Sequence, residues 1–232
     1  MNATIVRLAA QALLGRRRFW LLLALPVLLV GLTVLIAALT DREAAWPLLP
    51  GLGYPIVLPL VAVLAASSVL GPEVDDGSIV YLLSKPISRH GVALSKWVVA
   101  WAATLVAGAF PLFLAAVVAG GGDRAPAMGL AAVVAGTTYS ALFLAVSALT
   151  RHAVIVSLLF VLIWEGLLGN LLSGVAWLSV AQWGLRIGSE VSAELPDPTN
   201  LVWAVLASVV VTVGGVWLAG DRLRSFSLRG ED

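Results

Sequence analysis

A spanning α-helix needs about 20 consecutive, mostly apolar residues, and residues 19–39 of this chain carry no charged side chain. Further runs of spanning length occupy 52–70, 97–118, 128–149, 153–172 and 201–219, and only the fifth is interrupted by a charge, Glu165. Of the 232 residues, 60% are hydrophobic and 12% charged, against about 25% charged in a soluble globule. Too few polar side chains remain to cover a water-facing surface. The predicted fold class is therefore all-α, a polytopic integral membrane protein with six transmembrane helices. It forms one transmembrane domain over 1–232 with no soluble domain of its own.

The first run follows Arg16, Arg17 and Arg18, as a secretory signal would. Its apolar stretch is about 21 residues, longer than the 7–15 of a signal core, so it reads as a retained helix. Lys and Arg mark the cytoplasmic side. Eleven of the 14 basic residues fall on one side of a six-span arrangement, and only Arg42, Arg124 and Arg186 on the other. Both termini are expected in the cytoplasm, in a cell inner or plasma membrane. High Ala, Gly and Arg usage points to a bacterial source.

Net charge is +1, which argues against a nucleic-acid partner. The chain has no Cys, so disulfides, thiolate metal sites and Cys nucleophiles are excluded. Both histidines, His90 and His152, fall in loops, so intramembrane haem or metal ligation lacks imidazole donors, and no Ser-His-Asp set forms within the membrane. There is no phosphate-binding Gly-x-x-x-x-Gly-Lys-Ser/Thr loop. The expectation is no catalytic residue, no metal and no cofactor. Nine Trp suit anchoring at the membrane interface, with lipids as obligatory neighbours.

Pro26, Pro55, Pro59 and Pro111 lie inside predicted spans and should bend them. Ala132, Gly136 and Ser140 recur every fourth residue in the fourth span and make a face that another helix can approach closely. Residues 2–15 place Ile5, Leu8, Ala9, Ala12 and Leu13 at helical spacing, as in an interfacial helix on the cytoplasmic surface. The outer stretch 174–198 mixes Arg186, Glu190, Glu194 and Asp197 with Trp177, Trp183 and Ile187. That mixture predicts a helix in the outer interface or dipping into the bilayer. Gly120, Gly121 and Gly122 read as a flexible outer turn.

The longest cytoplasmic loop is 71–96. Asp75 or Asp76 can cap a short helix starting near Gly77. Ile79, Val80, Leu82 and Leu83 give that helix an apolar side, Pro86 stops it, and Ser88 opens the helix leading to the third span. Such an element needs either a lipid surface or another protein for its apolar side. Its residues Glu73, Gly77, Ser78, Leu82, Leu83, Pro86, Ser88 and Arg89 resemble the loop of type-2 ABC transporter permeases, the six-span membrane subunits of ATP-driven exporters. The span pattern, the leading amphipathic helix and the long last outer loop are similar as well. The resemblance implies that 75–84 is a coupling helix docking into a separate cytoplasmic ATPase. Contacts would come from Glu73, Asp75, Asp76, Gly77, Ser78, Leu82, Leu83, Lys85, Pro86 and Arg89, with Glu73 and Arg89 bracing the two ends. It further implies that ATP is bound by the partner subunit and that the chain pairs with a second copy of itself or a similar permease. Thr150, Arg151 and His152 would form a smaller contact with the ATPase.

Glu165 is costly inside a bilayer, by roughly 2.5–3.5 kcal/mol on insertion scales. Three readings stay open: a protonated carboxyl hydrogen-bonded to another helix, a place along the substrate pathway, or hydration near the outer interface. If it gates transport, Glu165→Gln leaves folding intact and alters transport. An ion-coupled secondary transporter using Glu165 is the rival function, and a membrane assembly factor without transport activity is another.

Overall fold

A computed structural model describes residues 3–14, 18–75, 88–168, 174, 176–197 and 199–225. Every regular element among the described residues is helical. Five helices are long and apolar enough to cross a membrane: Leu22–Leu39, Arg42–Leu70, Arg89–Val118, Arg124–Leu149 and Leu201–Leu223. A further apolar helix, Ala153–Leu167, is shorter, and residues 169–172 of the predicted fifth span lie outside the described residues.

In chain order, α1 is Ala3–Leu14 and α2 is Arg18–Leu39. A single turn, α3 (Arg42–Ala45), is capped by Asp41, whose Oδ1 accepts from the Ala44 N–H at 2.8 Å. A π-helical stretch, Leu49–Val57, leads into α4 (Leu58–Asp75). Next, α5 (Arg89–Thr104) passes through a second π-helical stretch, Leu105–Ala109, into α6 (Phe110–Val118). Helix α7 is Arg124–Leu149, and α8 (Ala153–Leu159) runs into a third π-helical stretch, Phe160–Leu168. A short 3-10 turn, Ala176–Leu178, precedes α9 (Val180–Gly188), and α10 is Leu201–Ser225.

The bundle has two ends. The upper end carries Glu43, Arg124 and Glu194, joined by ion pairs. The lower end carries Arg89 and Leu223, joined by a hydrogen bond. Helix α7 is the most buried of the five spanning helices. Its stripe of small residues does what the spacing predicts: Ala132, Gly136 and Ser140 are all buried, and a Cβ on Gly136 would lie 3.2 Å from Thr104 of α5. The outward faces of α2 and α10 expose Val27, Leu28, Val210 and Val213. A soluble monomer rarely carries so much contiguous apolar surface, whereas lipid tails require it.

The prolines correlate with the wide turns. Pro50 and Pro55 lie in the first π-helical stretch, and Pro111 lies two residues past the second. A proline ring clashes with the carbonyl four residues back, and the wider π turn relieves that clash. The third π-helical stretch contains no proline. Helix α1 docks Ile5, Ala9 and Leu13 into the bundle and leaves Leu8 outward, so its apolar side is covered by protein. Gly120, Gly121 and Gly122 all take positive φ, a conformation other residues rarely adopt.

Helix α9 dips into the bundle. Gly184 packs against Ala131 of α7, and Gly188 against Ala127. As the α9 number rises the α7 number falls, so α9 rises about 12 Å toward the upper end over its length, at about 1.5 Å per residue. Both contacts need glycine. A Cβ on Gly184 would collide with Tyr54 Oη and approach the Ala131 carbonyl to 2.7 Å, and one on Gly188 would meet the Ala127 carbonyl at 2.7 Å.

Candidate functional site: a buried turn and the lower stems

Glu165 is 3% exposed. It lies roughly 15–18 Å along the helix from Ala153, well inside an apolar layer about 30 Å thick. Its Oε2 accepts from Ser179 Oγ at 2.5 Å and from the Ala181 N–H at 3.4 Å. Its Oε1 accepts from the Val180 N–H at 2.9 Å. Ser179 is the N-cap of α9 and also accepts from the Gln182 N–H at 3.3 Å. The first amides of any helix lack intrahelical acceptors, and inside a bilayer no water replaces them. The Glu165 carboxylate and the Ser179 hydroxyl take three of those amides, and the positive end of the helix dipole favours the carboxylate there.

The carbonyls of the same turn are served by tryptophan. Trp164 Nε1 donates to Leu178 O at 3.2 Å. Trp183 and Trp203 Nε1 both donate to Trp177 O, at 2.8 and 2.7 Å. Tyr54 Oη donates to Ala181 O at 2.8 Å. The ring of Tyr139 lies parallel to that of Phe143, which meets Phe160 edge-on, and Phe160 stacks on Trp164. Residues from the π-helical stretches in spans two and five, from α7, α9 and α10 therefore converge on one irregular turn. The structure shows Glu165 hydrogen-bonded to the start of α9. The tryptophans read as interfacial anchors have a second task here, and Trp97 and Trp101 likewise donate to Ser140 and Thr137.

At the lower end, Arg89 is the first residue of α5, and its Nη1 donates to Leu223 O of α10 at 2.8 Å. Lys96 is buried, and its Nζ donates to Val69 O of α4 at 2.8 Å. The two helices that flank the loop are thus joined at its base. Sequence reasoning counted Lys96 only as an orienting charge, because one basic residue beside an apolar run does not reveal a partner in another helix. Glu73 and Asp75 belong to the last turn of α4, which runs past the predicted span end at 70. Asp76, Gly77, Ser78, Leu82, Leu83, Lys85 and Pro86, and with them the predicted helix near 77, lie outside the described residues. At the upper rim, Arg124 pairs with Glu43 at 2.5 Å and with Glu194, and its guanidinium lies 5.4 Å from the Trp46 ring. Arg186 pairs with Glu190 and Asp197 at 2.6 and 2.8 Å.

Apolar helices of spanning length, lipid-compatible outer faces and an irregular turn bonded by buried protein groups define a multi-pass membrane protein. Residues 53–218 match the family model described as ABC-2 family transporter protein. The match covers more than half of the chain, and the chain belongs to that family: it is a membrane permease component of an ABC transporter, a transport part and not a catalytic one. No curated protein matches it.

Proposed function

We propose that this chain is the permease subunit of an ATP-binding cassette exporter, driven by a separate cytoplasmic ATPase and paired with a second copy of itself or a similar permease. Family membership over 53–218 carries the reading, since that stretch contains the whole loop 71–96. In this reading the chain crosses a bacterial inner membrane six times, with the lower end and both termini in the cytoplasm. The fifth crossing is made in two helical pieces, 153–168 and 180–188. The eleven-to-three distribution of the 14 basic residues supports that orientation.

Closure of two ATPases around ATP pushes on residues 75–84, with Glu73, Asp75, Asp76, Gly77, Ser78, Leu82, Leu83, Lys85 and Pro86 as the contact and 150–152 as a smaller one. Force enters α4 and α5 together because Lys96 ties them at the base. Arg89 passes it to α10. The chain makes and breaks no covalent bond. It is a two-state element whose equilibrium both ATP and cargo bias.

The test is co-expression with the ATPase encoded beside this chain and purification in lipid nanodiscs. The wild type is expected to bring the ATPase with it, and Leu82→Asp/Leu83→Asp to lose it on the order of tenfold or more, as for a truncated apolar hot spot. Equal recovery would place the docking site elsewhere. No ATPase on the wild type would overturn the reading.

A further inference from the structure

The adjacent residues Trp164 and Glu165 serve opposite needs of one turn. One supplies a donor for a carbonyl, the other acceptors for amides and a hydroxyl. They sit on the π-helical stretch that has no proline to explain it. Both Glu165 oxygens are engaged. The titratable groups beside the carboxylate, among the described residues, are the Tyr54 and Tyr139 hydroxyls. A carboxylate that ferries protons or ions must exchange them with water, whereas this one is sequestered and bonded to the start of α9. We propose that Trp164 and Glu165 are positioning residues that clamp the turn at 176–181 inside the bilayer, so that the end of the fifth span, α9 and the start of α10 move as one body during transport. Glu165 carries no coupled ion. The proposal deepens the exporter reading and rests on it for the word transport, while the clamp itself does not depend on an ATPase.

The lack of native cysteine makes one introduced thiol a clean probe. Val180 is buried at the clamped end of α9. In nanodiscs holding the full chain and its ATPase, the Val180→Cys thiol is expected to react slowly with N-ethylmaleimide. Adding Glu165→Leu should speed labelling at least about tenfold, because three buried donors lose their acceptor. Adding Glu165→Gln should stay within about twofold, since an amide oxygen can accept from the backbone while its NH2 donates to Ser179 Oγ. The pH profile of ATPase activity should keep its shape in Glu165→Gln. If Glu165→Leu does not fold, Trp164→Phe and Ser179→Ala, which each remove one bond, should raise labelling by smaller factors. Unchanged labelling in Glu165→Leu, or in both milder variants, overturns the clamp. Fast labelling in Glu165→Gln, or a flattened pH profile with labelling still slow, overturns it in favour of a titrating role. Failure of the ATPase to bind the wild type sinks the exporter reading and leaves the labelling series to decide the clamp.

Discussion

Helix α7 and the two helical pieces 153–168 and 180–188 satisfy their backbone groups by opposite means. In α7 the ladder of backbone bonds is unbroken, and its polar side chains bond back to their own helix: Thr137 to Val133 O, Thr138 to Val134 O and Ser147 to Phe143 O. Around 177–181 the amides and carbonyls are taken by Glu165, Trp164 and Trp183 from 153–188 itself, and by Tyr54 and Trp203 from two other places in the chain. A continuous helix satisfies itself locally and can slide or tilt as a rod. A broken one is satisfied by distant partners and is fixed to them. The difference assigns adjustable packing to the centre of the bundle and a pinned joint to its upper half.

The comparison breaks most readily where α9 meets α7. Gly184→Leu should destabilise the folded protein by about 3 kcal/mol, since overpacking a tight contact costs this much, and here the new atoms meet the Ala131 backbone. Gly31→Leu, in α2 with nothing within 4 Å, should leave thermal stability in detergent unchanged. Equal losses in both would mean that the close approach is not what glycine serves at 184. A smaller effect sharpens the picture of the joint. Trp203→Phe removes one of two donors to Trp177 O and should cost about 1 kcal/mol, against none for Trp217→Phe, an exposed ring on the same helix. The smallest effect belongs to the upper rim. Arg124→Gln should leave thermal stability unchanged within error, because its carboxylate partners are exposed and such pairs are screened. A clear loss that salt does not abolish would show that the rim, and not the buried joint, holds the upper end together.

Much of this was legible in the chain itself. The apolar runs located the five long helices, and the four-residue spacing of Ala132, Gly136 and Ser140 named the face of α7 that is buried. The mixed composition of 174–198 pointed to a helix in the outer interface or dipping into the bilayer, and the structure packs that helix, α9, against α7. The loop at 71–96 carried its family signature in local order. The work of Glu165 was not legible, because its partners lie fourteen to sixteen residues away in a different helix. The glycine pair at 184 and 188 was passed over for the same reason: its spacing is plain, but the backbone it admits belongs to α7.

Sequence alone determined that this chain lives in a membrane and roughly where it crosses, since hydrophobic length and loop charge are sums over neighbouring residues. The tertiary structure decided which carboxylate caps the start of α9, and that Lys96 and Arg89 tie α5 to α4 and α10. Those outcomes depend on unsatisfied backbone groups finding partners inside an apolar layer, and only the packing of whole helices brings such partners within 3 Å or so.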